Sequence, residues 1–379
     1  MGMSARALNR STLARQLLLA REPLPVPEAV RRVVALQAQH PASPYLALAN
    51  RLGDFDPVAL DEAFTGRAVV KATLMRTTLH AVHAEDLASF RTAVQPSAAP
   101  GRQHPRFVGD VLAVEDAGSV LPELLLFAGR PRTGAEMDGW LRARLGDLPE
   151  PGAWPALRSY APLLHAPTGG PWMFGTRPSF IASGLPATAA DPAATAAALR
   201  TLALRYLAGF GPASVADLAQ FAGVSRTAAR AALTSRADGL ERFEGPDGAP
   251  LYDVPDGPLP AEDVPAPPRL MAMWDSILLA YADRCRVLPL EYRRLVIQAN
   301  GDVLPTLLVD GYVAGVWRPV GDGVEARAFH RLPEEAWAGL AAEARTVTAL
   351  IAGREPRVYR RYDRWWPPLP AAESRVLPG

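Results

Sequence analysis

Gly211 to Leu233, "GPASVADLAQFAGVSRTAARAAL", constrains the fold more than any other stretch of the chain. Ser214 is placed to cap one helix, Gly223 to turn the chain and Ser225 to cap a second helix. Val215, Leu218, Ala219, Val224, Ala228 and Ala229 supply small apolar contacts between the two, so a helix-turn-helix is expected. Its second helix would present Arg226, Thr227 and Arg230. That face suits a nucleic-acid surface, and it suits equally a scaffold that touches none.

Similar signals recur near the N-terminus. Ser11 to Ala20 begins with capping-type residues and carries a leucine-rich face, which predicts a helix. "PEAVRRVVALQAQ" predicts another, with Pro27 at its first position, Glu28 in its first turn and Val30, Val33 and Val34 as its apolar stripe. Pro41 disfavours helical geometry at His40, so this helix should end at Ala38 or Gln39. Asp56 and Pro57 open a third helix through "DPVALDEAF". "AVVKATLMRTTLHAVHAEDL" predicts two strands joined near Met75 to Thr77 and leading into a helix from Ala84 or Glu85. Helices followed by a hairpin is the order of a winged helix.

The middle is less regular. "SVLPELLLFAGRPRTGAEMDGWLRARLG" holds two helical runs separated by Gly129 to Thr133, and a proline-rich linker follows from Pro149 to Pro155. "RSYAPLLHAPTGGPWMFGTRPSFIA" is read as the strands of a second wing turning at Gly169 and Gly170. Beyond Pro265 a mixed strand and helix region is expected, with a hairpin at Asp310-Gly311, a helix from Pro333 and a tail ending in coil. In that tail Arg357, Arg360, Arg361 and Arg364 interleave with Tyr359, Tyr362, Trp365 and Trp366, a pattern that fits phosphate binding with stacking or a strand fixed to the surface.

Composition excludes several functions. The 40 basic and 39 acidic residues argue neither for nor against a polyanionic partner. Lys71 is the only lysine; arginine suits phosphate geometry, but the skew, with abundant Ala, Gly and Pro, is what a proteome-wide compositional bias produces. The single cysteine, Cys285, leaves no internal disulfide or cysteine-rich zinc site and fits a reducing interior. His80 and His83 lack the further ligands a metal site needs, and no metal or other cofactor is expected. Neither a signal peptide nor a membrane span is indicated, so a cytoplasmic location is expected.

No glycine-rich phosphate loop, nucleophile elbow or zinc-protease helix is present. Asp275 and Asp283 flank "SILLAYA" as possible acid/base carboxylates, although salt links with Arg284 and Arg286 explain them more economically. His80 alternates with Thr78 and Val82, facing a core or a groove. The oddity is "ALQAQHPASP": the apolar stripe places Gln37 inward, while Gln39 would point about 200° away on an ideal helix. The two amides reach one target only if the helix opens at Gln39; otherwise Gln37 serves a buried backbone group and Gln39 is merely exposed.

The Gln37-Ala38-Gln39 segment, with "VVKATLMRTTLHAVHAEDL", "WDSILLAYADRCRVL" and "DVLPTLLVDGYVAGVWR", resembles the AlkZ-type, YcaQ-like winged-helix DNA glycosylases that unhook interstrand crosslinks. That family carries Gln, an aliphatic residue, then Gln or Asp; Ala38 is a small member of the middle class, which leaves the substrate open. The resemblance spans nearly the whole chain. It implies an α+β fold, mainly α with small β elements: three tandem winged-helix units (1–110, 111–190 and 191–264) around a DNA channel, and a strand-rich domain over 265–379. It implies that Gln37 and Gln39 are the catalytic pair of a monofunctional glycosylase acting on N7-alkylguanine and on crosslinks of the azinomycin type.

Double-stranded DNA carrying such lesions is the implied partner, bound by a monomer associated with the bacterial nucleoid. Candidate DNA contacts are Arg76, Thr78 and His80 on the hairpin, Arg226 and Arg230 on the helix-turn-helix, and Arg360 and Arg361 in the tail. With Lys71 the only lysine, a Schiff-base lyase step is not expected. A winged-helix transcription regulator or noncatalytic lesion-binding protein is the alternative.

Overall fold

The computed structural model describes residues 2–99, 102–103, 118–147, 151–175, 177–187, 191–234 and 239–379. Helix α1 (Ala5–Arg15) starts earlier than expected because Ser4 is its cap, its Oγ accepting from the Ala7 N–H at 3.0 Å. Ser11 and Thr12 do not cap: their hydroxyls donate to the Gly211 and Leu8 carbonyls. Helix α2 (Val26–Arg32) stops well short of the glutamines, correcting the expected end, and Val34 takes a left-handed φ of 73°. β-Branched Val33 and Val34 are weak helix formers, and the residues after them find a better ladder. Strand β1 (Leu36–Gln37) follows at once.

Helix α3 (Ser43–Ala49) went unforeseen because all of its residues are buried, which erases the amphipathic period that sequence reading relies on. Helix α4 (Pro57–Thr65) is capped by Asp56 as expected. Strands β2 (Val69–Thr73) and β3 (Leu79–His83) flank a 3-10 turn over Met75–Thr77 and lead into α5 (Ala84–Ala98), again as expected.

Helix α6 (Leu121–Phe127), strand β4 (Arg132–Thr133) and helix α7 (Gly134–Leu145) realise the two helical runs, with a reciprocal Thr133–Glu136 capping box. Residues 149 and 150 of the expected linker lie outside the described residues, and Trp154 already starts α8 (Trp154–Tyr160). Strands β5 (Leu163–His165) and β6 (Ser179–Ala182) follow, with Gly169 and Gly170 at positive φ between them. One antiparallel sheet, ordered β1-β3-β2-β5-β6-β4, unites all six strands. Its middle seam is short: β2 meets β5 only at Lys71 with His165 and Ala72 with Leu164.

Helix α9 (Pro192–Phe210) leads to the helix-turn-helix, α10 (Val215–Ala222) and α11 (Arg226–Thr234), and then to the hairpin β7 (Glu241–Glu244) and β8 (Pro250–Asp253). Ser214 makes a capping box, Gly223 is left-handed, and the Ser225 Oγ accepts from Ala228, as the sequence requires.

Strand β9 (Arg269–Leu270), the one-turn helix α12 (Arg293–Val296), strands β10 (Thr306–Val309), β11 (Tyr312–Val320) and β12 (Gly323–Ala328), helix α13 (Glu334–Ala352) and strand β13 (Glu373–Pro378) complete the chain. The sheet order is β13-β12-β11-β10-β9. Asp310 and Gly311 both have positive φ, which a tight hairpin turn demands. The C-terminus corrects the expectation of coil. Residues Glu373–Pro378 pair with β12 along their length, and only Leu377 among them is buried, so hydrophobicity announced little.

The fold is therefore α+β, with helices packed on antiparallel sheets in a winged-helix type of arrangement. The N-terminal helices share a core with the C-terminal sheet: Leu13, Leu17 and Leu46 pack in one cluster with Trp317 and Trp337. Asp275 is tied into this junction. It forms a fully buried two-pronged pair with Arg51, both contacts 2.8 Å, and Asp283 caps the Cys285 N–H. The two aspartates thus start separate 3-10 turns rather than sharing a helical face, and neither makes the expected link to Arg284 or Arg286. Among the described residues no helix is long and apolar enough to cross a membrane, and no group of three His, Cys, Asp or Glu is placed to hold a metal ion.

Candidate active site

Gln37 lies on strand β1 at the edge of the six-stranded sheet, and Gln39 sits in the bend that follows it. Gln37 pairs with His80 and Leu36 with Ala81, and the Ala38 N–H donates to the Leu79 carbonyl at 2.7 Å. The approach to β1 is held from the C-terminal half, where the Ser276 hydroxyl donates to the Ala35 carbonyl at 2.8 Å. Helical geometry would set the two amides about 200° apart; that constraint lapses here, because the chain has left the helix before Gln37 and bends at Gln39.

The two side chains nevertheless have different surroundings. Gln37 is buried, and its Oε1 accepts from the Arg76 guanidinium at 3.0 Å. Arginine has no acceptor, so chemistry alone orients this carboxamide: the oxygen faces Arg76, and the NH2 is the group left for other partners. Gln39 is exposed, and its Oε1 takes only a long 3.4 Å contact from the Leu79 N–H.

Arg76 is fixed in turn by the helix-turn-helix. Its guanidinium donates to the Phe221 carbonyl at 2.7 Å and lies 5.8 Å from that ring's centroid. Its backbone, at a φ of 55°, packs so closely on Gly223 that a Cβ there would meet the Arg76 N and Cα at 3.0 Å. Burial lowers the Arg76 pKa to about 10, with Arg284 adding repulsion, and the group stays cationic. Thr78 closes the same turn, donating its hydroxyl to the Met75 carbonyl at 3.0 Å. His80 is buried beside Gln37, with Nδ1 3.1 Å from the Thr78 carbonyl. A carbonyl only accepts, so Nδ1 carries the proton. Burial, then the charge of Arg76, pushes the His80 pKa down to about 3, which keeps the ring neutral near pH 7.

Gln39 borders a cleft of about 560 Å³ between the hairpin, β5 and the C-terminal tail. Its basic lining is Lys71, Arg158, Arg357, Arg360 and Arg361, against the single carboxylate of Glu355, which accepts from Trp172 Nε1 at 2.6 Å. A chain with a net charge of only +1 thus concentrates cations around one glutamine. Burial, followed by nearby cations, lowers His40 to about 4 and His165 to about 3, so both imidazoles are neutral at pH 7. Burial alone brings Lys71 down to about 7.

The tail explains its own alternation. Tyr359 is buried, its hydroxyl 2.9 Å from the Ser43 Oγ and its ring 4.8 Å from that of His40. Tyr362 and Trp366 are buried too, while Arg360 and Arg361 are exposed at the cleft. These three aromatics are anchors rather than free stacking platforms, and the segment is a 3-10 turn over Arg360–Trp365 rather than a strand. Arg226 and Arg230 are exposed on α11 and do not line the cleft.

Arg158 and His165 carry no site signal in the sequence and reach the cleft only through tertiary structure, whereas His40, read only as the end of a helix, lines it as the neighbour of Gln39. Sequence reasoning assigned Lys71 no role. The one available signal for Lys71 was a lone lysine in a strand of apolar neighbours, "AVVKATL".

A family model described as DNA glycosylase AlkZ-like matches residues 30–350. Among solved structures, the Streptomyces sahachiroi DNA glycosylase AlkZ is similar with a TM-score of 0.76 at 22% identity, over 94% of this chain and 98% of that one, which is a likeness of fold. No curated protein matches.

Proposed function

Because this chain belongs to the AlkZ-like DNA glycosylase family, we propose that it hydrolyses the N-glycosidic bond of N7-alkylguanine in duplex DNA and unhooks interstrand crosslinks built on that lesion. The observation that carries this reading is the exposed Gln39 carboxamide on a cleft lined by four arginines, Lys71 and one carboxylate. A phosphate backbone is the ligand such a surface attracts, and winged-helix units flanking it would form the channel.

The chemistry suits amides. Alkylation at N7 makes the purine cationic and a good leaving group, so no strong general acid is needed, and neutral His80, His40 and His165 supply none near pH 7. As the C1'–N9 bond breaks, positive character grows on the sugar. The Gln39 carbonyl accepts a hydrogen bond from the attacking water or faces that charge, and the Gln37 NH2 orients the same assembly. Positioning rather than proton abstraction is the role of both. An open cleft also suits a bulky crosslink better than full extrusion into a tight base pocket.

The test is release of free base from a duplex carrying N7-methylguanine and from a crosslinked duplex. Wild type should release base, and a Gln37→Ala, Gln39→Ala protein that still binds the duplex should release little. No release from either substrate sinks the reading. Binding without release would favour a noncatalytic DNA-binding protein, for which exposed Arg226 and Arg230 on α11 are the supporting observation.

A further inference from the structure

Base release leaves a deoxyribose that opens to an aldehyde at C1', and a neutral primary amine converts an aldehyde covalently. Lys71 is the only lysine of the chain. It lies on β2, in register with Ala81 of β3 and His165 of β5, and it lines the same cleft as Gln39. The residue is only 4% exposed, and its Nζ stands 4.5 Å from the centroid of the Phe174 ring. Among the described residues no hydrogen bond and no ion pair reaches that nitrogen.

The contrast with the other buried cations is informative. Arg51 and Arg15 each hold a buried aspartate at hydrogen-bond distance. A permanently charged group at such depth needs a partner of that kind, whereas an amine that is neutral part of the time does not. Its neighbours agree: His165, His40 and Arg158 offer no negative charge, and the Oε2 of Glu355 is engaged by Trp172. Desolvation in an apolar setting is a known way to make a lysine a nucleophile, and here it brings the pKa to about 7.

We propose that Lys71 gives this protein a second activity, cleavage of the DNA strand at the abasic site through a Schiff base. The Nζ lone pair forms a bond to C1', and the carbonyl oxygen leaves as water, giving an iminium. The iminium acidifies C2'; that proton passes to water, and its electron pair expels the 3' phosphate as the C3'–O bond breaks. Hydrolysis of the conjugated imine returns the free amine and an unsaturated aldehyde end. The water released as the iminium forms is taken up again in its hydrolysis, so the cleavage is a net elimination that consumes no co-reactant and no oxidant. The count of a single lysine, which argued against such a step, is outweighed by where that lysine sits. The inference rests on the base-release reading only for the origin of the abasic site.

The test therefore starts from a duplex with one preformed abasic site, mixed with the full-length protein and sodium borohydride, which reduces the Schiff base to a stable adduct. The chain offers two primary amines, Lys71 and its N-terminus, so peptide mapping of the wild-type adduct decides without any variant. The expected result is an adduct on Lys71 that is lost in Lys71→Arg. Without borohydride, the strand should be cut on the 3' side. No adduct, an adduct on the N-terminal amine alone, or an adduct on Lys71 without strand cleavage would each overturn the proposal. None of these results bears on whether N7-methylguanine is released.

Discussion

Replacing Arg76 by methionine separates a positioning role from a merely structural one. In the fold the guanidinium satisfies two acceptors, the Phe221 carbonyl at 2.7 Å and Gln37 Oε1 at 3.0 Å. Leaving two buried acceptors unpaired costs about 1–3 kcal/mol each. Relief from desolvating a cation, whose pKa burial already depresses to about 10, offsets part of that. A net loss on the order of 1–3 kcal/mol is expected, which a chain of this size should survive folded.

The rate should suffer more than the stability. Without Arg76 the Gln37 carboxamide is free to turn over, and misplacement of a positioning group costs up to about 100-fold. The assay is single-turnover release of N7-methylguanine at saturating enzyme, which removes binding from the comparison, with thermal unfolding followed in parallel. Arg76→Met, Gln37→Met and the double variant complete a cycle. If Arg76 acts through Gln37, the double variant is no slower than Gln37→Met alone. Arg76→Lys, a point charge without the planar fork, should recover part of the rate. Release by folded Arg76→Met within about twofold of wild type would refute the reasoning, since 100-fold is the scale at which misplacement acts; so would multiplicative losses in the double variant.

Asp275→Ala would leave Arg51 without its counterion, holding only the Ala47 carbonyl at 2.9 Å, where both side chains are fully buried, and a loss of about 3–5 kcal/mol is expected in denaturant unfolding; an unchanged midpoint would dismiss the pair as a structural link. Acid should weaken the fold through His80, His165 and His40, whose folded pKa values of about 3, 3 and 4 lie below the unfolded value of 6.5. Their contribution is complete above pH 6.5 and is lost as pH falls toward 4 and 3, roughly 2 kcal/mol each at pH 5. Urea midpoints across this range should fall, more shallowly in His80→Gln, and a flat profile would contradict their burial as neutral rings. Arg360→Ala and Arg361→Ala should each reduce the slope of log affinity against log salt by about one. Arg226→Ala and Arg230→Ala should do the same if α11 also meets the backbone, and an unchanged slope there would assign the helix-turn-helix to scaffolding alone.

What could be read in advance follows the range of the forces involved. Ser214, Gly223 and Ser225 act within a few residues of themselves, and the helix-turn-helix formed where they placed it. Asp310-Gly311 and Asp56-Pro57 are equally local, and equally legible. By contrast, β1 exists because β3, more than forty positions later in the chain, offers it a ladder at Ala81 and His80. The apolar stripe that suggested a longer helix is equally what an edge strand over a core requires, and period alone does not separate the two in so short a run. Helix α3 and strand β13 fail the same test from opposite sides, one buried all round and the other nearly bare. The candidate site inherits this division. Its glutamines were visible as polar residues out of place. Their relation was not, because Gln37 takes its orientation from Arg76, and Arg76 takes its own from Phe221 and Gly223 on a different helical pair. A substitution in the helix-turn-helix, far from Gln37 in sequence, should therefore be felt at the amide. Gly223→Ala, which drives a Cβ against the Arg76 backbone, should slow base release while Gln39 and the cleft arginines keep their contacts, and a rate unchanged in a folded Gly223→Ala protein would show that the chain of contacts transmits nothing.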